Sequence, residues 1–440
     1  PSPPPIQEAT MGIPHLSRRS FLTAVSAGTV AITAAPLLAA CGDGDSGGGK
    51  VTIEWMDIAT TEPSKTLYPQ IAKAYEAAHP NVRVKLTNLE NEAFKSKMTA
   101  LTASGKLPDI FVTWGGGVLK QQIDAGLVKD VTSDGSAILN TMTPVSQKPY
   151  QFDGKTYAIP YDMGGVGFWY NKALFSKAGI KDTPKTWTEY LDAVRKLKSA
   201  GVTPIAVAGK DKWPEMYYWA YLAMRIGGLP ALQQAEKAND FSGAAFVSAG
   251  QKVKELADLD PFQKGFQNAG YDTPGGQAAT MGAGKAAMEL MGQWAPAVQK
   301  DASGKDLGED LGWFPFPSVE GGQGQATEVF GGGNGHALSK DAPKEAIDFL
   351  AFLMNQENEK KLVSSGAFMP VVKGAESELD KNRKLVADAL NSSTGFQLYL
   401  DQAFPPAVGQ EVNDSVAALI GGKKTPQQVT ESVTKVAKSQ

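Results

Sequence analysis

Between Val51 and Leu86 the apolar residues change period twice, and that change limits the folds open to the chain. "KVTIEWMDIAT" places Val51, Ile53 and Trp55 at alternate positions, the pattern of a half-buried strand. "SKTLYPQIAKAYEAAHPNVRVKL" then sets Leu67, Ile71 and Tyr75 on one helical face, before Val82, Val84 and Leu86 return to alternation. "NEAFKSKMTALTASGKLPDIFVTW" repeats helix, turn and strand. Strands alternating with helices predict an α/β body with a largely parallel sheet. In such sheets ligands bind beyond the carboxyl ends of the strands. Here those ends carry "DIATT" (57–61), "NLENE" (88–92) and "TWGGG" (113–117): polar groups, a tryptophan, and glycines that let a ligand come close.

A second region of this kind follows "TYAIPYDMGGVGFWYNKALFSKAGI". In "TPKTWTEYLDAVRKLKSAG" Thr186 and Glu189 have the spacing of a capping box, and Gly201 closes the helix. "GVTPIAVAG" reads as a strand leading into the aromatic run "DKWPEMYYWAYLAMRIGG", and "GKAAMELMGQWAPAV" as a short apolar strand ending at Gln293 and Trp294. "DLGWFPFPSVEGG" is extended, "SKDAPKEAIDFLAFLMNQENEKKLVSSGAFMP" is a pair of amphipathic helices, and the remaining C-terminal segment is mostly helical. At roughly 150 residues per domain, 440 residues predict two to three domains. No segment repeats at a period of about 20–50 residues.

Upstream of Lys50 the composition shifts. "SRRSFLT" puts Arg18 and Arg19 before the stretch "FLTAVSAGTVAITAAPLLAA", rich in Ala and Thr and broken by Pro36. A spanning helix wants about 20 strongly apolar residues. A charged start, an apolar middle and small residues at the end are instead the layout of an export signal. The arginine pair resembles the twin-arginine export motif. "LAAC", Leu38 to Cys41, resembles the bacterial lipobox, in which the cysteine is acylated. The expectation is an export signal over 1–40 with its lipobox at 38–41, read from a start at Met11, lipidation at Cys41, and a Gly/Ser tether over 41–50.

Cys41 is the only cysteine, so a disulfide framework and a cysteine-based zinc site are excluded. "GDSGG" matches G-x-S-x-G, but Ser46 lacks the flanking strand and helix a nucleophile elbow needs, and His15 lies inside the signal. With 43 basic and 46 acidic residues there is no field to attract a phosphate backbone, so nucleic acid is not an expected partner.

Several phrases occur in one order: "SGKLPDIFVTW", "YAIPYDMGGVGFWYNKALFSKAGI", "TPKTWTEYLDAVRKLKSAGVTPI", "GAGKAAMELMGQWA", "WFPFPSVEGG" and "GGGNGHALSKDAPKEAIDFLAFLMNQENEKKLVSSGAFMPV". With the lipobox, they resemble a family 1 extracellular solute-binding protein of a carbohydrate ABC importer, related to maltose-binding protein. The resemblance covers nearly all of residues 50–440. It implies a type II periplasmic-binding-protein fold, two α/β lobes joined by a three-segment hinge with the ligand cleft between them. By similarity the chain crosses near 161–165, 328–332 and 385–388. Lobe one is then 51–161 with 332–385, and lobe two 165–328 with 388–440. "DMGGVG" and "FGGGNG" at two crossings suit a hinge. The resemblance also implies a lipid-anchored, exported monomer on the cell surface or periplasmic face. It would deliver a di- or oligosaccharide, xylobiose-like or another plant or chitin oligomer, to the permease subunits, with no cofactor and no catalysis.

A sugar offers apolar C–H faces and a rim of hydroxyls, so its site wants aromatic platforms and charged or polar acceptors. Trp114 ends a strand before three glycines. Trp294 ends another, where the family places an aromatic on the sugar. Trp213 and Tyr217 lie in the aromatic run after a strand. Glu90 and Asp162 are the candidate carboxylates, against the plainer reading of a helix cap or solvated charge. Asn334, at the second crossing, and Thr60 complete the expected ligand set. Trp169, Trp187 and Trp313 are expected in the core, and Phe404 is a candidate for a late aromatic subsite.

The competing readings are weaker. An exported glycoside hydrolase would use similar aromatics plus two carboxylates about 5–10 Å apart, but no carboxylate sits in a hydrolase motif. His79 and His336 are isolated in sequence, which argues against a metal centre. "GAGKAA" (282–287) resembles a dinucleotide turn but has no preceding strand. A purely structural lipoprotein has no supporting repeat.

Overall fold

The computed structural model describes residues 50–366 and 368–440. The expected export signal, Cys41 and nearly all of the tether lie outside the described residues. The first alternating pattern becomes strand Val51–Asp57, helix Ser64–Ala78, strand Val82–Asn88, helix Asn91–Ser104 and strand Ile110–Thr113. These three strands pair in parallel, 51–57 in the middle.

Strand Val329–Leu338 joins this sheet antiparallel to Ile110–Thr113, and Ala158–Gly165 runs antiparallel along it. The short strand Phe396–Leu398 adds in parallel at the other end of 329–338. A second sheet orders Leu311–Phe314, Gly167–Asn171, Ala286–Met291 and Thr203–Ile205, with one parallel pair, 203–205 on 286–291. Both sheets are therefore mixed, which corrects the expectation of a largely parallel sheet. The strands that pass between the lobes return in the opposite sense, and alternation within one segment cannot report that.

Two hydrophobic cores separate the lobes. Ile53, Trp55, Tyr68 and Ile110 belong to the first, with Phe349 from helix Lys344–Leu353. Phe168, Trp169, Trp187 and Trp219 belong to the second, with Val416 and Val433 from the C-terminal helices. This is the two-lobed α/β architecture of the type II periplasmic-binding fold. The capping box at Thr186 and Glu189 starts helix Trp187–Ser199 as its spacing predicts.

Chain order changes core between Met163 and Val166 and between Phe330 and Ala337. The third change comes early: Val372 packs in the first core, whereas Leu379 and Val386 pack with the second. Strand 396–398, expected in lobe two, hydrogen-bonds instead to the edge of the first sheet. Two crossings lie side by side as a ribbon, with Gly331 opposite Gly165 and Gly332 opposite Gly164. Glycine is required there for space. A Cβ on Gly332 would run into the ring of Tyr399, and one on Gly164 into the side chain of Gln293.

Trp169 and Trp187 are fully buried, and Trp169 Nε1 donates to the carbonyl of Gly292 at 2.9 Å. Trp313 is half-buried against the same core.

Candidate ligand-binding cleft

Residues of both lobes line one cavity of about 190 Å³. Its first-lobe wall begins at the carboxyl end of strand 51–57, as expected for an open α/β sheet. Asp57 Oδ1 accepts the N–H groups of Ile58 at 2.7 Å and Ala59 at 3.0 Å, and its Oδ2 lies 2.8 Å from His336 Nε2. That buried pair fixes the loop presenting Thr60 and Thr61 to the cavity. Trp114 follows strand 110–113 directly. Phe94 meets its ring edge-on at 5.6 Å, and Lys95 Nζ stands 5.9 Å from its centroid.

The second-lobe wall is aromatic. Trp213 opens helix Trp213–Ala238 with Pro214 behind it, and Tyr217, four residues on, shares its face. Tyr271 packs edge-on to Trp213 at 5.3 Å, Trp213 against Tyr217 at 5.4 Å, and Tyr217 stacks on Tyr399 at 5.4 Å and 16°. Trp294 meets Tyr399 edge-on at 6.3 Å, completing a chain of five rings that all line the cavity. Asp211 holds one end by accepting the Tyr271 N–H at 2.6 Å. The N–H of Tyr399 donates to Gly331 at 2.9 Å, which brings its ring onto the crossing.

The two walls touch at several points. Thr60 Oγ1 donates to Asp272 at 3.4 Å, the Glu62 N–H donates to Asp301 at 3.3 Å, and Lys95 Nζ lies 3.1 Å from Asp401. At the crossing, Asp162 accepts Gln293 Nε2 at 2.5 Å, the Met369 N–H at 2.7 Å and Asn334 Nδ2 at 3.3 Å. Burial pushes the Asp162 carboxyl up to about 7 against these donors. Burial lowers the Lys95 ammonium, but the charges of Asp401 and Glu92 more than offset it and the net shift is upward.

Of the eight expected ligand residues, Trp114, Trp294, Asp162, Trp213, Tyr217, Asn334 and Thr60 line this cavity. Glu90 does not. Its carboxylate accepts the N–H groups of Glu92 at 3.1 Å and Ala93 at 3.3 Å, capping helix 91–104. The free amides of a helix start take such a side chain, and Asn91 and Lys95 from the same helix reach the cavity instead. Phe404 also departs from expectation. It is 2% exposed, packs edge-on against Phe241 at 5.2 Å in the second core, and leaves the late aromatic position to Tyr399. Sequence reasoning missed Tyr271, Tyr399, Lys95 and Asp272. An aromatic beside an acid in the Gly- and Pro-rich "AGYDTPGG" was the available signal for Tyr271 and Asp272.

The family model described as bacterial extracellular solute-binding protein matches residues 59–360. A multiple sugar-binding protein of Streptococcus mutans is 29% identical over 380 residues, 81% of this chain and 84% of that protein. A solved structure from work on xylan utilization by Caldanaerobius polysaccharolyticus is 28% identical, with a TM-score of 0.82, covering 88% of this chain and 99% of that one. A chitin oligosaccharide binding protein is 26% identical, with a TM-score of 0.81, over 89% of this chain and 98% of that one.

Proposed function

The chain belongs to the bacterial extracellular solute-binding proteins, and from that membership we propose that it captures a short oligosaccharide and hands it to an ABC importer. The chain of five rings facing a polar loop is the observation that carries this reading. Stacked rings suit the C–H faces of sugar units, and the opposite wall offers hydroxyls, an amide and carboxylates for the hydroxyl rim. The names of similar proteins, for multiple sugars and for chitin oligosaccharides, agree with it. Trp114, Thr60 and Asn334 bind from the first lobe and the crossing, Trp294, Trp213 and Tyr217 from the second, while Asp162 positions Gln293 and Asn334.

A sugar touching both walls makes more contacts in the closed form than in the open one, and only such a difference shifts the population toward closure. The ribbon of strands 158–165 and 329–338 is the hinge. Lipidation at Cys41 keeps the protein at the cell surface or periplasmic face of the membrane beside its permease.

Titration of intrinsic tryptophan fluorescence against a panel of neutral di- and oligosaccharides tests the reading. The expected dissociation constant is micromolar or tighter, about −8 kcal/mol, with no hydrolysis on long incubation. Absence of binding across the panel, or release of free sugar, rejects it. For the anchor, Cys41→Ser should move the protein from the membrane to the medium or soluble fraction. Persistence on the membrane after carbonate washing rejects lipidation.

A further inference from the structure

The charges on the cavity wall do not balance. Asp57, Glu62, Asp272 and Asp401 line it, beside Asp162, whose carboxyl burial raises to about 7, and among the described residues Lys95 is the only lysine or arginine there. That lysine is already engaged, 3.1 Å from Asp401 and 3.2 Å from Glu92. Asp57 is paired with His336, and Asp162 accepts three donors. Asp272 stands apart: the side-chain hydrogen bond it accepts, from Thr60 Oγ1, is long at 3.4 Å.

Further carboxylates surround that position from both lobes. Burial first, then the charges of Glu90 and Asp301, raise the Asp272 carboxyl. Asp211 is raised to about 6 by burial, with Glu90, Glu92 and Asp272 adding to it. The wall nevertheless has polar capacity to spare. Among the described residues the hydroxyls of Tyr271 and Tyr399 and Oε1 of Gln402 meet no hydrogen-bond partner, on residues only 8%, 4% and 7% exposed. These groups match a ligand bearing hydroxyls. They offer no counter-charge to an anion, and a buried ion without one is costly.

Resting on the oligosaccharide reading, we propose that the cleft is an electrostatic filter set by Asp272: it admits neutral and amine-bearing sugars and excludes uronates and sugar phosphates. The carboxylate both repels an entering anion and supplies an acceptor for a hydroxyl or an ammonium group.

Three disaccharides of one linkage test this: a neutral one, one with a free amine, and one with a terminal uronate. Each is titrated into the protein at low salt and at about 0.5 M salt, where screening is strong. The uronate should bind at least about tenfold more weakly than the neutral sugar at low salt, and the amine no more weakly than the neutral sugar. The uronate penalty should shrink at high salt and in Asp272→Asn, and persist in Asp272→Glu, which keeps the charge. A uronate that binds within about twofold of the neutral sugar overturns the filter. A penalty unchanged in Asp272→Asn overturns the role of Asp272. Failure of all three sugars to bind rejects the oligosaccharide reading itself, a different outcome from loss of discrimination among bound sugars.

Discussion

The first-lobe wall of the cleft is made of strand ends and the second-lobe wall of rings. In the first, a buried Asp57–His336 pair and the N–H groups of Ile58 and Ala59 fix a short loop. In the second, five aromatic side chains from four separate stretches pack on one another, and Trp213 and Tyr217 are also part of the lobe's core. One wall is thus held by hydrogen bonds at its edge, the other by the same packing that stabilises the lobe. Affinity and stability should separate cleanly for some rings and not for others.

The largest expected effect lies behind the ring wall. Trp187 is 1% exposed and packs against Tyr190 at 5.1 Å and Phe316 at 5.9 Å, away from the cavity. Trp187→Ala should cost about 3–5 kcal/mol of stability in denaturant unfolding and leave sugar affinity within about twofold, roughly 0.4 kcal/mol. An affinity that drops with the stability would mean the two roles of the second lobe are not separable.

Trp294 is half-buried and lies at the end of the ring chain, so its loss should spare the core. Trp294→Ala should weaken binding by about 1–3 kcal/mol, roughly 5- to 150-fold, with little change in thermal unfolding. Trp114→Ala, on the polar wall, should cost less, about 1 kcal/mol or roughly fivefold. Calorimetric titration of both variants compares the walls directly. If Trp114→Ala is the more damaging, the division between an aromatic and a polar wall is reversed, and wild-type affinity in both would displace the site from this cleft.

The smallest effect is on pH dependence, and both lobes share it. Burial raises Asp162, Glu359 and Glu289 to about 7 and Glu215 to about 8. Unfolded carboxyls titrate near about 4. Between those values the folded protein keeps protons that the unfolded chain has lost, so stability falls as pH rises through this window. The unfolding midpoint should be a few degrees higher near pH 5.5, inside the window, than near pH 8, at its upper end (roughly, from the linkage relation). A midpoint that climbs toward pH 8 would contradict the burial of these groups in their neutral form.

The local features of the fold were legible. Alternation marked strands 51–57 and 82–88, and spacing marked the capped helix 187–199, because each residue's burial follows from the period of its own segment. Glu90 shows the limit of that information. An acid before a helix fits a cap as well as a ligand, and the amides of Glu92 and Ala93 decided between them. Phe404 and Tyr399 lie in one short stretch, in which the sequence pointed to Phe404 alone as a platform. Only the packing of Phe404 on Phe241 and the approach of Tyr399 to Gly332 separated them.

What the sequence determined by itself was the class of fold, the order of its elements and a minority of the polar and aromatic groups that line the cleft. Tertiary structure decided which of those groups share a cavity, how the returning strands make both sheets mixed, and that Lys95 is already engaged by Asp401 and Glu92. The reason is range. Periodicity records how a residue faces its neighbours along the chain, whereas a ring chain or an unpaired carboxylate depends on groups that meet only when distant segments pack.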